Sequence, residues 1–371
     1  MTNSDLDGYR PPQPPRRGRR RREDASALPG QRRRQRIGGG GDGAREASMV
    51  EPVQFDSYYG RPIVKAPPWE TPIGIYLFVG GVAGASGVLQ AGAALTGNAE
   101  LRRNARLVAL GAVTAGLPAL VYDLGRPERF LHMMRVVKPS SPMSIGTWLL
   151  SGFGMASGMA AAAEVDRMTG ERVPLGPLRP LLKAAEVPSS AAVAVLGPPL
   201  ATYTAVLLGD TSVPTWSGSR PGLPFVFASS ASLAASGAAM ITTSTANAGP
   251  ARALAVMGVV GDIAGMHYTK SQMHSLEAEP LDEGKPGKLL KVAEGLAIAG
   301  GIGALFAKRS RTLAVASGAA LLGASLLTRM GVLEAGHESV KDPRRVVEPQ
   351  KARLEARRAK GITDDSITTA G

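Results

Sequence analysis

The sequence predicts an all-α integral membrane protein of about eight transmembrane helices, preceded by a disordered basic tail. Three features lead there. The 371 residues have a mean hydropathy of +0.01 and are 20% charged, as in an ordinary water-soluble chain, yet the charges collect at the two ends. Between the ends, uncharged runs recur that approach or exceed the roughly 20 residues a helix needs to cross about 30 Å of hydrocarbon. These runs are rich in Gly, Ala and Ser, as in GGVAGASG at 80–87 and GLAIAGGIGA at 295–304. Small residues of this kind let helix backbones approach closely in lipid.

Residues 1–68 are expected to form the tail. The first 50 carry twelve arginines against six acidic residues, with much Pro and Gly, and too few apolar side chains to offset the entropy of ordering. No apolar segment promptly follows the RRRR at 19–22, so a twin-arginine signal is not expected. The first apolar run is also too long for a secretory signal. Uncharged runs then cover 71–99, 107–122, 139–163, 187–209, 221–251 and 312–328. Two further runs are interrupted by a few charges: 252–269 by Asp262, and 289–307 by Lys291 and Glu294. A low-complexity linker would not keep its charges out of so many windows of this length. The membrane domain is therefore placed at 69–335, and 336–371 is read as a charged tail in which KARLEARRAK forms a surface helix.

An even number of spans puts both termini on one side. The arginine-rich tail makes that side cytoplasmic by the positive-inside rule, in a cell (inner) membrane. The basic charge is thus assigned to topology and to membrane lipid, and no nucleic-acid partner is expected. The 123–142 loop, the Trp216 loop and the 270–288 loop share the face of the termini.

The chain has no cysteine and four histidines. Iron-sulfur ligation and disulfides are excluded. His132 and His274 fall in loops, His267 near a helix end and His337 near the C-terminal tail, which leaves no facing pair for haem. Nucleotide and zinc motifs are absent as well. Any redox cofactor must come from a partner.

Two places carry chemistry. The stretch YDLGRPERFLHMMRVVKPSSPMSIGTW, beginning at Tyr122, packs charge between two apolar runs. Asp123 and Gly125 are expected to end the second helix, Arg126, Arg129 and Arg135 offer fixed cationic forks, and Ser144 is expected to cap the third helix. The second place is Asp262. It lies ten residues, about 15 Å, from Arg252 and hence near mid-membrane, where a carboxylate is costly and by default functional. A proton relay through Asp262 is expected, with His267 or Glu294 nearer the surface. Glu294, a turn from Lys291, is expected at headgroup level.

The Tyr122 stretch closely resembles the hallmark loop of the NrfD-type membrane subunits, the family of the polysulfide reductase membrane anchor. PPLATYTAVLLGDTSVPTWSGSRPGLPFVFASSASLA, at 198–234, is similar to a second family motif. The resemblance covers about 70–335 and leaves the basic tails outside. It implies two packed four-helix bundles and a subunit without its own cofactor. Such a subunit docks a four-cluster iron-sulfur protein, itself attached to a molybdopterin-type catalytic subunit, and exchanges electrons with a membrane quinone, menaquinone or ubiquinone. It further implies a quinone pocket in the first bundle near the partner face, which favours Tyr203, Asp123, Arg126 and His132. Partner docking then falls to Arg129, Arg135, Lys138 and Trp216. Tyr203 suits the pocket because its hydroxyl can donate to a quinone carbonyl.

Two other classes stay open. A secondary transporter would place its site where helices break, and Pro198–Pro199 and Gly261–Asp262 are candidate breaks; the lack of an evident internal repeat speaks against it. A purely structural anchor for a soluble oxidoreductase is the other.

Overall fold

A computed structural model describes residues 62–123 and 127–362. Among these residues the fold is all-helical. The helices are α1 (Thr71–Leu95), α2 (Ala99–Asp123), a 3-10 helix (Pro127–Met134), α3 (Pro142–Met168), α4 (Leu178–Gly209), α5 (Pro214–Gly218), α6 (Leu223–Thr242), α7 (Gly249–Gln272), α8 (Ser275–Asp282), α9 (Gly284–Phe306), α10 (Arg311–Ser339) and α11 (Arg344–Ala359).

Six of them, α1, α2, α4, α6, α9 and α10, are long and apolar enough to cross a membrane. Helices α3 and α7, of 27 and 24 residues, are long enough but are not among the six. Gly, Ser and Thr dilute α3, and Arg252, Asp262 and His267 dilute α7.

Helix ends differ from the uncharged runs wherever a charge finds a partner inside the protein. Helix α2 starts at Ala99 and takes in Arg102 and Arg106, both of which ion-pair with Glu164 of α3. The uncharged run 221–251 is broken at Thr243, between α6 and α7. Its turn is tied down from outside: the Ser244 amide and the Asn247 side chain donate to Glu100, and Asn104 donates to the Thr242 carbonyl at 2.7 Å. Helix α10 continues past Thr328 to Ser339, and KARLEARRAK lies in α11 as expected. The cap of α3 is Ser141, not Ser144. The Ser144 hydroxyl instead accepts from the Lys138 amide and donates to the Val136 carbonyl, closing the loop before α3. Helix α4 runs through Pro198 and Pro199, and α7 through Gly261 and Asp262, so neither expected break occurs.

Packing follows one order of neighbours twice. Helix α1 packs on α2 and α4, and α3 on α2 and α4; likewise α6 packs on α7 and α10, and α9 on α7 and α10. In each set the first and last helices meet through glycines. A Cβ on Gly84 of α1 would stand 2.4 Å from the Gly197 carbonyl of α4, and one on Gly237 of α6 would stand 2.5 Å from the Gly318 carbonyl of α10. Only backbone fits at such contacts. Helices α1 and α4 also pack on α6, joining the two sets.

Candidate functional site

An apolar recess opens at the end of the molecule that carries the 3-10 helix and α5. Its wall includes Trp69, Tyr76, Leu120, Met133, Met143, Tyr203, Thr204 and Leu207, drawn from α1 to α4 and the segments beside them. Two hydroxyls meet in it, because Tyr203 of α4 and Tyr76 of α1 hydrogen-bond to each other. Gly146 lets this happen: a Cβ there would stand 2.3 Å from the Tyr203 ring, so α3 and α4 close around the phenol. A third hydroxyl, Thr204 Oγ1, is buried without a hydrogen-bond partner among the described residues.

Of the residues the sequence assigned to this site, the structure brings in Tyr203. Asp123 is the last residue of α2, and Arg126 lies outside the described residues. Arg129 and His132 lie on the 3-10 helix, where His132 is exposed and its neighbour Met133 reaches the recess. Arg135 and Lys138 follow, both exposed. Tyr76 and Thr204 were missed. A lone Tyr or Thr in an apolar helix carries no signal until the fold shows what faces it.

Trp216 requires a correction. Expected at a docking surface, it is fully buried, with 0% exposure, and so offers a partner no contact. The apolar ring and its single N–H explain the burial. Nε1 donates to the Val332 carbonyl at 2.8 Å, the ring stacks on Trp69 at 5.5 Å, and His337 lies at 5.9 Å. Gly336 makes room, since a Cβ there would stand 2.0 Å from the indole. Trp216 thus holds Trp69, and Trp69 is a wall of the recess.

A second constellation lies deeper. Asp262 of α7 is buried and its Oδ1 has no hydrogen-bond partner among the described residues. It feels the charges of Arg329 and Glu294. Glu294 is exposed and lies ten residues into α9 (Gly284–Phe306), about 15 Å along it. That is mid-helix along α9. His267, five residues beyond Asp262, is exposed near the end of α7.

Arg329 was missed because the uncharged run stops at Thr328, one residue short of it. Its side chain is wholly buried. Nη1 donates to the Leu77 carbonyl of α1 at 2.7 Å and Nη2 to the Phe227 carbonyl of α6 at 2.8 Å, while the guanidinium lies 4.5 Å from the centre of the Phe227 ring. Nε has no partner. Gly81 of α1 provides the space, as a Cβ there would stand 2.5 Å from Nη2.

The opposite end of α1 to α4 holds a third polar group. Arg106 donates to Glu164 and Glu186, each at 2.8 Å, to Gln90 at 3.1 Å and to Ser190 at 2.7 Å. Arg102 and Arg167 add further bonds to the same carboxylates.

A family model described as polysulphide reductase, NrfD, matches residues 63–259, more than half of the chain. The chain belongs to the NrfD family. A search of curated proteins finds no match to it. The NrfD match spans α1 to the first half of α7, so it contains the recess, the Trp216 helix and the Arg106 group; Asp262, Arg329 and α11 lie beyond its end. Family and helices together make this a membrane protein of the polysulphide reductase type.

Proposed function

We propose that this NrfD protein is the quinone-reactive membrane subunit of a multi-subunit oxidoreductase. It exchanges electrons between a docked four-cluster iron-sulfur protein, attached to a molybdopterin-type catalytic subunit, and menaquinone or ubiquinone in the membrane. In this reading α3 and α7 also cross the bilayer, giving eight spans in two four-helix bundles with both termini cytoplasmic. The iron-sulfur protein meets the face that carries Arg129, Arg135 and Lys138.

The observation that carries the proposal is the pair of phenols in the apolar recess. Quinone carbonyls need hydrogen-bond donors at the edge of an apolar pocket. Of the two phenolic hydrogens of Tyr76 and Tyr203, one is used in their mutual bond and the other is left for a carbonyl. The Thr204 hydroxyl, buried and unpartnered, supplies a further donor. Two electrons from the partner and two protons turn quinone into quinol. In this reading Asp123, Arg126 and His132 supply the connection to water. Asp262, with Glu294 and His267, forms a separate proton route beside the recess.

Two experiments test this. Purification from the native membrane in mild detergent should bring down an iron-sulfur protein and extractable quinone; a chain that elutes alone and without quinone would turn the reading toward an anchor or a transporter. In the intact complex, Tyr203→Phe should lower quinone turnover about tenfold, the worth of one hydrogen bond, and lower stability by only about 1 kcal/mol for the lost bond to Tyr76. Equal turnover in the variant would remove Tyr203 from the site.

A further inference from the structure

Trp69 joins the wall of the recess from outside any helix, two residues before α1 begins. A side chain on such a segment is ordinarily free to swing, and this one is held. Pro67 and Pro68 precede it and fix their own backbone angles. Its ring stacks on Trp216 at 5.5 Å, with 25° between the two planes. Trp216 is anchored in turn: fully buried, it donates through Nε1 to the Val332 carbonyl of α10 at 2.8 Å, and the Thr215 hydroxyl beside it donates to the Glu277 carbonyl of α8 at 2.7 Å. An aromatic plane of fixed orientation therefore stands in the same wall as the two phenols.

The rest of the wall bears on what can face that plane. Its hydroxyl donors sit together, since Tyr76 and Tyr203 touch and Thr204 follows in the chain. The Thr147 hydroxyl is already used, donating to the Met143 carbonyl at 3.0 Å. Among the described residues the remaining wall is Leu, Ile and Met side chains with Gly146. A quinone of the ubiquinone type carries two methoxy oxygens on the ring edge opposite its tail, and in such a wall they would lose water without gaining a hydroxyl donor. A naphthoquinone carries a fused benzene ring at that edge. That ring is apolar, stacks on an indole over a larger face and makes favourable contacts with Met sulfur.

Resting on the quinone reading above, we infer that Trp69 is a specificity-determining residue of the recess, that Trp216 is its positioning residue, and that together they select a naphthoquinone over a methoxy-substituted benzoquinone. Trp216 reaches the ligand only through Trp69. The bond to Val332 thus lets α10, which has no residue in the wall, fix the shape of a pocket built from α1 to α4 and the segments beside them.

The chain has three tryptophans, so its own fluorescence can report binding. Trp148 is exposed and is not part of the wall; Trp148→Phe leaves Trp69 and Trp216 as the emitters of the full-length protein in nanodiscs. A menaquinone and a ubiquinone with the same short prenyl tail are titrated separately, with concentrations counted per lipid, and the ratio of their half-quenching concentrations is read. It should favour the naphthoquinone by about tenfold. In the same background Trp69→Phe, which keeps a ring and loses the N–H, should retain most of that ratio. Trp69→Leu, followed through Trp216, should lower it about fivefold, and Trp216→Phe, which loses the bond to Val332, about twofold. Equal half-quenching concentrations in the Trp148→Phe protein, or a ratio untouched by Trp69→Leu, would overturn the inference and leave the quinone site standing. Absence of quenching by either quinone would overturn both the inference and the quinone reading beneath it. The first comparison decides the matter even if the variants at Trp69 and Trp216 fail to fold.

Discussion

Two buried arginines divide the molecule by what surrounds them. Arg106, 4% exposed, sits between two carboxylates, an amide and a hydroxyl, and all of its surroundings answer its charge. Arg329, 0% exposed, has two close backbone carbonyls, a phenyl ring and an Nε with no partner, and it makes no ion pair among the described residues. Taking a charge out of water costs several kcal/mol unless pairing compensates. The first arginine meets that condition and staples four helices. The second does not, and its nearest compensation is the more distant charge of Asp262. An incompletely answered charge responds to any change in a neighbouring proton, so the Arg329 region suits chemistry where the Arg106 region suits assembly.

Arg106→Leu provides the largest test of this contrast. It leaves the buried Glu164 and the half-buried Glu186 facing Arg167 and Arg102 alone, and should lower stability by about 3–5 kcal/mol, read as a large drop in thermal melting in detergent; a drop no larger than that for Arg329→Leu would erase the distinction. Arg329→Leu should cost less, about 1–3 kcal/mol, since it leaves backbone carbonyls that already serve their own helices. Its main effect should fall on quinone turnover in the complex, and a fully active variant would make Arg329 another staple. Asp262→Asn should leave melting nearly unchanged while altering the pH dependence of turnover; an unchanged pH profile would remove the relay. Ser190→Ala is the finest test, at about 1 kcal/mol of stability with turnover untouched.

Much of the helical plan was legible in the sequence because charge exclusion marks apolar helices whatever they pack against. Helix ends were not, since they depend on partners far away in sequence. The break at Thr243 is invisible until Glu100 and Asn104 arrive from α2. Helix α2 looks shorter than it is because Arg106 appears as a charge to be kept at the surface, when Glu164 and Glu186 await it inside. In the site, Tyr203 was found through its motif. Tyr76 was not, because what distinguishes it is the phenol opposite. Trp216 was placed on the wrong side of the surface for a related reason: a Trp in a loop resembles an exposed anchor until Gly336 and Val332 are seen to enclose it.

The bond from Arg329 to Leu77 joins residues 252 apart in the chain. At about 5–20 residues per second, the ribosome needs roughly 10–50 s to traverse that interval. Throughout that time the notch at Gly81 of α1 is empty, and α6 joins α1 only part-way through it. One side chain of α10 thus closes the seam between α1 and α6, and a chain interrupted before α10 leaves the notch at Gly81 unfilled.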